Sequence, residues 1–259
     1  MEQKEITPEL FVVGAGPGDP ELITVKAYKI LQTAGAVLYD NLANKQLLDL
    51  TPEDCDHVYV GKQPYGTYTP QEDINAMIKH FAFSRGRVVR LKGGDPFIFG
   101  RGGEEMEAAQ AAGVAVEVVP GISAANGAAA AAQIALTHRD AASVVSFVAG
   151  QCKGLAEQDW AGLAGKGRTL VIYMGVKTAP AIAEKLMGDG LAPDMPLAVI
   201  ENAARTNMRV LRGPLAALPQ LVERERVKSP ALIIIGDVTA RDDSISGLAL
   251  AKLAVEASL

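Results

Sequence analysis

The chain has 259 residues, of which 49% are hydrophobic and 21% charged, a composition typical of a globular protein of one or two domains. Its formal net charge of -5 argues against a duplex-wide nucleic-acid surface and against a polybasic membrane anchor. Two cysteines and three widely separated histidines form neither a disulfide framework nor a metal-ligand spacing, so we expect no metal site.

The sequence predicts no membrane span and no N-terminal signal peptide. No segment approaches the roughly 18 uncharged apolar residues that a membrane-spanning helix needs. The first ten residues carry Glu2, Lys4, Glu5 and Glu9, and they lack the apolar core of a signal peptide. The sequence therefore predicts a cytoplasmic protein with no membrane and no nucleic-acid partner.

Short runs rich in Val, Ile and Leu predict strands that are buried on both faces. They cover residues 10–13, 36–39, 57–60, 87–91, 114–119, 144–149, 169–174, 197–201, 208–211 and 231–235. Strand and helix patterns alternate, which predicts an α/β architecture with mainly parallel strands. The short turn after residue 201 predicts an antiparallel hairpin. Because the pattern restarts near residue 140, we expect two α/β domains, 1–125 and 126–259.

Apolar periodicity and capping residues place the helices. One apolar face recurs over residues 27–34, a third helix is expected over 103–112, and an alanine-rich fourth follows Ser123. The second helix is predicted to open at Thr69, with Pro70 in its first turn and Glu72 completing a capping box.

The first glycine-rich loop, residues 14–20, directly follows the first predicted strand. A dinucleotide fingerprint has a third glycine where this chain has Asp19, and Pro17 and Pro20 remove two backbone donors from the place of a pyrophosphate. Asp40, at the end of the second strand, lies where such a protein would hold a ribose. The loop therefore disfavours nicotinamide binding, and an ordinary strand-to-helix turn explains its glycines equally well.

The second loop has five glycines between residues 93 and 103. Glycine allows backbone to approach a ligand closely, but no Gly-Lys-Ser/Thr follows, so this is not a P-loop. Asp95 can accept from ligand hydroxyls, and Arg101 offers a planar fork for carboxylates. The alternative is a surface turn in which Arg101 pairs with Glu104 or Glu105.

The third loop, residues 119–124, again joins a strand to a helix. Its Ser123 is placed to cap that helix, and capping alone would explain the residue. Three glycine-rich strand ends on one side of a sheet nevertheless fit the rule that open α/β sheets bind ligands there.

These loops carry a family resemblance over roughly residues 10–240. The matching motifs lie at residues 13–20, 39–40, 60–62, 70–75, 90–105, 119–122 and 136–140. They resemble the S-adenosylmethionine-dependent uroporphyrinogen III C-methyltransferases of the tetrapyrrole methyltransferase superfamily. The first loop is shared across that superfamily, whereas KGGDPFIFGRGGEE at residues 92–105 is much more specific to the uroporphyrinogen enzymes.

The resemblance implies a fold and a reaction. It implies two α/β domains with the active site in the inter-domain cleft, and a homodimer. It implies methylation of uroporphyrinogen III at C2 and C7, giving precorrin-2 through precorrin-1, for sirohaem, cobalamin or haem d1 synthesis. S-adenosyl-L-methionine is then the methyl donor, S-adenosyl-L-homocysteine the product, and no metal takes part.

The resemblance also assigns site residues. Asp40 and Lys62 match positions proposed as proton acceptor and donor, and Arg101 and Arg139 match basic residues near the tetrapyrrole. Asp40 can instead cap a helix or hold a ribose, and Lys62 can instead neutralise substrate carboxylates. The positions matched to cofactor binding are Pro17, Gly93, Gly94, Asp95, Ile98, Ser123, Ala124, Met174, Ala203 and Ala231.

An acidic chain that binds a polycarboxylate must concentrate its arginines locally. The candidates are Arg90, Arg101, Arg139 and Arg205, of which Arg90, within a strand, is expected to be structural. Three other functions stay open at this point: methylation of a later corrin intermediate, a nucleotide-dependent oxidoreductase, and a binding protein without catalysis.

Overall fold

The computed structural model describes residues 7–61, 69–151 and 158–240. The chain divides into two compact units, Met1–Gly127 and Ala128–Leu259. Each unit contains one five-stranded sheet, so the predicted α/β class is confirmed. None of the helices in the described ranges is long and apolar enough to cross a membrane.

The first unit is built on a wholly parallel sheet. Its strands are β1 (Glu9–Gly14), β2 (Ala36–Tyr39), β3 (Asp56–Tyr59), β4 (Arg87–Lys92) and β5 (Ala115–Val119). Their order across the sheet is β3-β2-β4-β1-β5, and every neighbouring pair is parallel. All five carboxyl ends therefore lie at one edge, the edge at which open α/β sheets bind ligands.

Helices cover both faces of this sheet. They are α1 (Val25–Leu31), α2 (Gln71–Arg85) and α3 (Gly102–Ala111), with 3₁₀ segments at Pro20–Leu22 and Lys45–Leu50. A further helix, α4 (Ala124–Ala131), follows β5. Strand side chains alternate between the faces. Val13 and Val89 pack in the cluster that contains α1 residues, whereas Val12 and Val88 pack with residues of α2 and α3. The central strands are consequently apolar on both sides over most of their length.

The predicted capping box of α2 is wrong. Pro70 occupies the N-cap position and no side chain caps the helix. Thr69 is one residue too early, and its hydroxyl donates to Gly61 O (3.3 Å) instead, while Glu72 lies exposed in the first turn. Proline has no side-chain acceptor for the unpaired backbone N–H groups at the start of a helix. The acidic residues in the first turn instead stabilise this positive end of the helix dipole.

The second unit has a mixed sheet. Its strands are β6 (Ala142–Ala149), β7 (Gly167–Tyr173), β8 (Pro196–Glu201), β9 (Arg209–Pro214) and β10 (Ala231–Ile235), in the order β6-β7-β10-β8-β9. Only β6 and β7 are parallel, so the prediction of mainly parallel pairing is wrong here. The reason is that β10 enters between β7 and β8 in the opposite direction. The predicted antiparallel hairpin is confirmed as β8–β9.

One face of the second sheet packs on α5 (Ala179–Gly188) and α6 (Leu218–Arg224). Short 3₁₀ segments lie at Leu215–Ala217 and Asp237–Ala240. Ile182 of α5 is fully buried, and the absence of side chains at Gly150 and Gly175 leaves room for its terminal methyl group. The end of β7 is thereby held against α5.

Candidate functional site

Three loops meet backbone to backbone at the carboxyl edge of the first sheet. Gly94 N donates to Gly16 O (2.7 Å), and Gly16 N donates to Gly94 O (3.3 Å). A Cβ added to Gly14 would lie 2.5 Å from Gly121 N, which is closer than side chains can approach. No side chain fits between these backbones. The three glycine-rich loops therefore converge as predicted, and they can do so only with glycine at the points of contact.

Asp95 links two of these loops. Its Oδ1 accepts from Phe97 N (2.9 Å) and its Oδ2 accepts from Gly121 N (3.1 Å). The sequence analysis predicted that this carboxylate can accept hydrogen bonds from ligand hydroxyls. In the structure it accepts from backbone amides. Each carboxylate oxygen has a second lone pair, so the cofactor role of Asp95 stays a prediction.

The start of α4 lies beside the first loop. Ser123 Oγ accepts from Asn126 N (3.3 Å) and donates to Asn126 Oδ1 (2.8 Å), which confirms the capping role predicted for this serine. The ring of Pro17 packs where Gly127 leaves a side chain out. Pro17, Ser123 and Ala124 are thus brought together in one unit with Gly93, Gly94 and Asp95.

Asp40 follows β2 at the same edge. Its Oδ1 accepts from Leu42 N (2.9 Å) and its Oδ2 accepts from Arg90 Nη2 (3.0 Å). The side chain keeps 23% of its surface exposed, whereas that of Arg90 keeps 4%. The structure therefore presents a carboxylate that is oriented by two donors and still accessible.

Two charged residues meet in this region: sequence reasoning missed Lys92 and named Glu105 only as a possible partner of Arg101. Lys92 and Glu105 are 5% and 1% exposed, and Lys92 Nζ lies 2.9 Å from Glu105 Oε2. Burial, and then the charge of Arg90, lower the pKa of Lys92, whereas Glu105 opposes both effects. The signal that could have found this cluster is the pair Arg90 and Lys92, two charges on one face of a strand whose inner residues Val88, Val89 and Leu91 are apolar.

The second loop presents aromatic and charged side chains to solvent. Phe97 and Phe99 are exposed, and with Arg101 they line a shallow depression of about 400 Å³. Arg101 donates to both Glu104 oxygens (2.8 and 2.6 Å), as the alternative in the sequence interpretation describes. This pairing raises the pKa of Arg101 and lowers the pKa of Glu104. Ile98, which separates the two phenylalanines in the sequence, is partly buried.

Two predicted residues lie elsewhere. Lys62 falls outside the described residues. Arg139 is exposed in the segment before β6, in the second unit. Beside it, His138 Nδ1 accepts from Asp140 N (3.1 Å) and His138 N donates to Ala142 O (2.8 Å), so this histidine holds the turn.

The second unit brings together its three predicted cofactor residues. Met174 follows β7, Ala203 follows β8, and Ala231 begins β10, opposite Glu201 in the antiparallel register. Asn202 N donates to Pro230 O (3.0 Å), which ties the last two segments. All three residues lie at one edge of the sheet.

Several non-glycine residues at these two edges adopt left-handed backbone conformations. In the second loop they are Phe99 (φ 53°) and Arg101 (φ 58°). In the second unit they are Met174 (φ 56°), Asn202 (φ 51°) and Ala204 (φ 54°). Such residues cost free energy and cluster at ligand sites, so both edges are candidates for binding. Within the described ranges, no three His, Cys, Asp or Glu side chains are grouped to hold a metal ion.

Comparison with known families and sequences gives one consistent result. Residues 9–219 match the model of the Tetrapyrrole (Corrin/Porphyrin) Methylases. The chain is 50% identical over 232 residues to the siroheme synthase of Gluconobacter oxydans, covering 89% of this chain and 49% of that protein. It is 48% identical over 239 residues to the siroheme synthase of Tolumonas auensis, covering 92% of this chain and 51% of that protein. The chain thus spans about half the length of these curated relatives.

A solved structure matches over almost its whole length. The uroporphyrin-III C-methyl transferase of Thermus thermophilus, complexed with S-adenyl homocysteine, superposes with a TM-score of 0.76 at 39% identity. The match covers 89% of this chain and 92% of that one. Cobalt precorrin-4 methyltransferase gives a TM-score of 0.78 at 26% identity.

Proposed function

Because the chain belongs to the tetrapyrrole (corrin/porphyrin) methylases, we propose that it transfers methyl groups from S-adenosyl-L-methionine to uroporphyrinogen III. The observation that carries this proposal is the near-complete match to a uroporphyrin-III C-methyl transferase that holds S-adenyl homocysteine. The high identity to one half of the siroheme synthases supports the same substrate. We further propose that C2 and C7 are methylated in turn, giving precorrin-2 through precorrin-1.

The reaction needs alignment more than it needs covalent help from the protein. Bound S-adenosyl-L-methionine supplies an electrophilic methyl group on a sulfonium. A tetrapyrrole carbon forms the new C–C bond as the C–S bond breaks, so positive charge passes from sulfur to the macrocycle. Holding the reactants in line can lower the barrier by about 7–11 kcal/mol at best. The macrocycle then loses a proton, and the oriented, accessible carboxylate of Asp40 is the acceptor that we propose.

The chemical character of the residues at these two edges fits S-adenosyl-L-methionine. In the first unit, the N–H of Gly94 and the O–H of Ser123 already donate within the protein. The backbone of Gly93 and the remaining lone pairs of Gly94 O and Ser123 Oγ can accept from ribose hydroxyls and an amino group. In the second unit, the exposed side chain of Met174 and the small side chains of Ala203 and Ala231 form an apolar edge suited to a purine. We assign these residues, with Pro17, Asp95, Ile98 and Ala124, to cofactor binding.

The surface of the second loop suits the substrate. Uroporphyrinogen combines an apolar macrocycle with peripheral carboxylates, and Phe97 and Phe99 expose apolar surface beside the guanidinium of Arg101. We propose that Arg101 binds substrate carboxylates in place of Glu104, and that Arg139 does so from the second unit. Lys62 is proposed as the proton donor on family resemblance alone.

We propose that the enzyme is a homodimer, again on family resemblance. Light scattering is expected to give about twice the 27.2 kDa mass of one chain. A mass that stays at 27.2 kDa at every concentration contradicts the dimer.

Two methyl groups are expected on each product molecule. The protein is incubated with labelled S-adenosyl-L-methionine and enzymatically made uroporphyrinogen III, and the product is followed by mass spectrometry. A singly methylated species should rise and then fall as the doubly methylated product accumulates. The same protein with a later corrin intermediate as the acceptor is the control for substrate class. A singly methylated end product contradicts the proposed double methylation.

Gly94→Ala should weaken binding of S-adenosyl-L-homocysteine by more than about tenfold, or 1.4 kcal/mol. Gly94 has φ +71°, and its added Cβ would lie 3.3 Å from Ala124 N, against the start of α4. Calorimetric titration measures the affinity. Gly113→Ala is the matched control, because Gly113 has φ +77° with no atom within 4 Å of its Cβ. It carries the same backbone strain, roughly 1–2 kcal/mol, away from the loops. Equal affinity in both variants removes Gly94 from the cofactor site.

Arg101→Ala should lower kcat/KM by about 10- to 200-fold, since a charge-assisted hydrogen bond contributes about 1.5–3 kcal/mol. Arg101→Lys should recover only part, because an ammonium keeps the charge and loses the planar fork. The affinity for S-adenosyl-L-homocysteine should not change. Arg85→Ala is the control, because Arg85 forms a comparable exposed ion pair with Asp56 on the first unit.

The opposing interpretation is that Arg101 only pairs with Glu104. An exposed pair contributes about 0–1 kcal/mol to stability and nothing to turnover. Wild-type kcat/KM in Arg101→Ala, or a loss confined to cofactor affinity, would therefore reject the substrate role.

A further inference from the structure

A buried charge cluster lies under the carboxyl edge of the first sheet. Its members are Arg90, Lys92 and Glu105, which are 3%, 5% and 1% exposed, and it reaches the surface at Asp40. Together with Asp40, the cluster alternates two carboxylates and two cations, so the formal charges balance. The sequence predicted that Arg90 is structural, indicated Glu105 only as a possible partner of Arg101, and did not single out Lys92.

The guanidinium of Arg90 is fixed by all three of its nitrogens. Its Nε donates to Glu105 Oε1 (3.0 Å), its Nη1 to Leu91 O (2.8 Å), and its Nη2 to Asp40 Oδ2 (3.0 Å). A longer contact joins Nη1 to Leu38 O (3.4 Å). Because the guanidinium is planar, fixing two of its sides fixes the third, and that third side is the one that meets Asp40.

Glu105 keeps Arg90 in this orientation. It stands in the first turn of α3, and each of its carboxylate oxygens faces one cation of β4. Arg90 and Lys92 are two residues apart on one face of the strand, so without Glu105 two buried like charges would repel each other. Glu105 therefore acts on Asp40 through Arg90, without touching it.

Stability alone does not account for such a cluster. Buried ion pairs are weak sources of stability, and well-packed apolar residues often replace them without loss. The chain of contacts ends at the accessible carboxylate of Asp40, which it orients. We propose that Arg90 is a positioning residue for Asp40 and that Glu105 holds Arg90 in that role. This inference rests on the proposed function, in which Asp40 accepts the proton that the methylated macrocycle loses.

The test combines single and double variants. Arg90→Lys keeps the charge and loses the fork, and it should lower kcat about 10- to 100-fold with KM nearly unchanged, the size of effect that a misplaced catalytic group produces. Asp40→Asn should lower kcat by about 100-fold or more. In the Asp40→Asn background, Arg90→Lys should cause no further loss of kcat, because the group that it positions is already gone.

The controls separate positioning from folding. Arg87→Lys changes another arginine of β4, which donates to Glu9 Oε2 (3.2 Å) at the opposite end of the strand, and its kcat should stay at the wild-type value. Titration with S-adenosyl-L-homocysteine gives the fraction of each preparation that is folded and competent, and kcat is referred to that fraction. Glu105→Gln removes the charge with little change in shape, and it should repeat the kcat loss and the non-additivity if Arg90→Lys does not fold.

The possible results distinguish a failure of this inference from a failure of the proposed function on which it rests. If Asp40→Asn lowers kcat but the loss from Arg90→Lys adds to it in full, Arg90 is merely structural and the inference fails while the role of Asp40 stands. If Asp40→Asn turns over at the wild-type rate, the proposed role of Asp40 fails, and the inference fails with it. Wild-type kcat in both Arg90→Lys and Glu105→Gln also overturns it.

Discussion

The close approach of backbone at Gly14, Gly94 and Gly121 is the constraint on which the first unit's site depends. These residues end β1, follow β4 and follow β5, and a Cβ on any of them would collide with or crowd the backbone of a neighbouring loop. The loops can therefore bond to one another directly, through the pair that joins Gly94 and Gly16 and through the carboxylate of Asp95. Loops that are fixed in this way at the ends of buried strands form a rigid support for a ligand.

The same constraint explains why charges are buried behind the loops. A strand that ends under tightly packed backbone has no solvent to receive the side chains of its last residues. Arg90 and Lys92 occupy that position on β4, and Glu105 at the start of α3 supplies the compensating charge. The absence of a side chain at Gly100 also leaves space beside the Cε of Lys92. The glycines of the second loop thus serve the interior as well as the surface.

Much of the fold follows from the sequence because strands buried on both faces need continuous apolar runs. The run of β2 is Ala36–Tyr39 and that of β10 is Ala231–Ile235, both as predicted. Partners across space are harder to predict. The contact between Arg90 and Asp40 was not predicted, because no local pattern indicates a partner fifty positions away. The cap predicted at Thr69 failed because the helix begins one residue later than expected, so Pro70 occupies the N-cap position.

The second sheet was wrongly predicted to be mainly parallel, and the true direction of β10 bears directly on the proposed role of this sheet in cofactor binding. Met174 follows the end of β7, whereas Ala231 begins β10. In a parallel sheet, the end of one strand and the start of its neighbour lie at opposite edges, so these two residues could not line one ligand. Because β10 runs antiparallel between β7 and β8, its first residue lies beside the last residues of both, next to Ala203. The reversal of a single central strand is therefore what allows the residues matched by family resemblance to form one apolar edge.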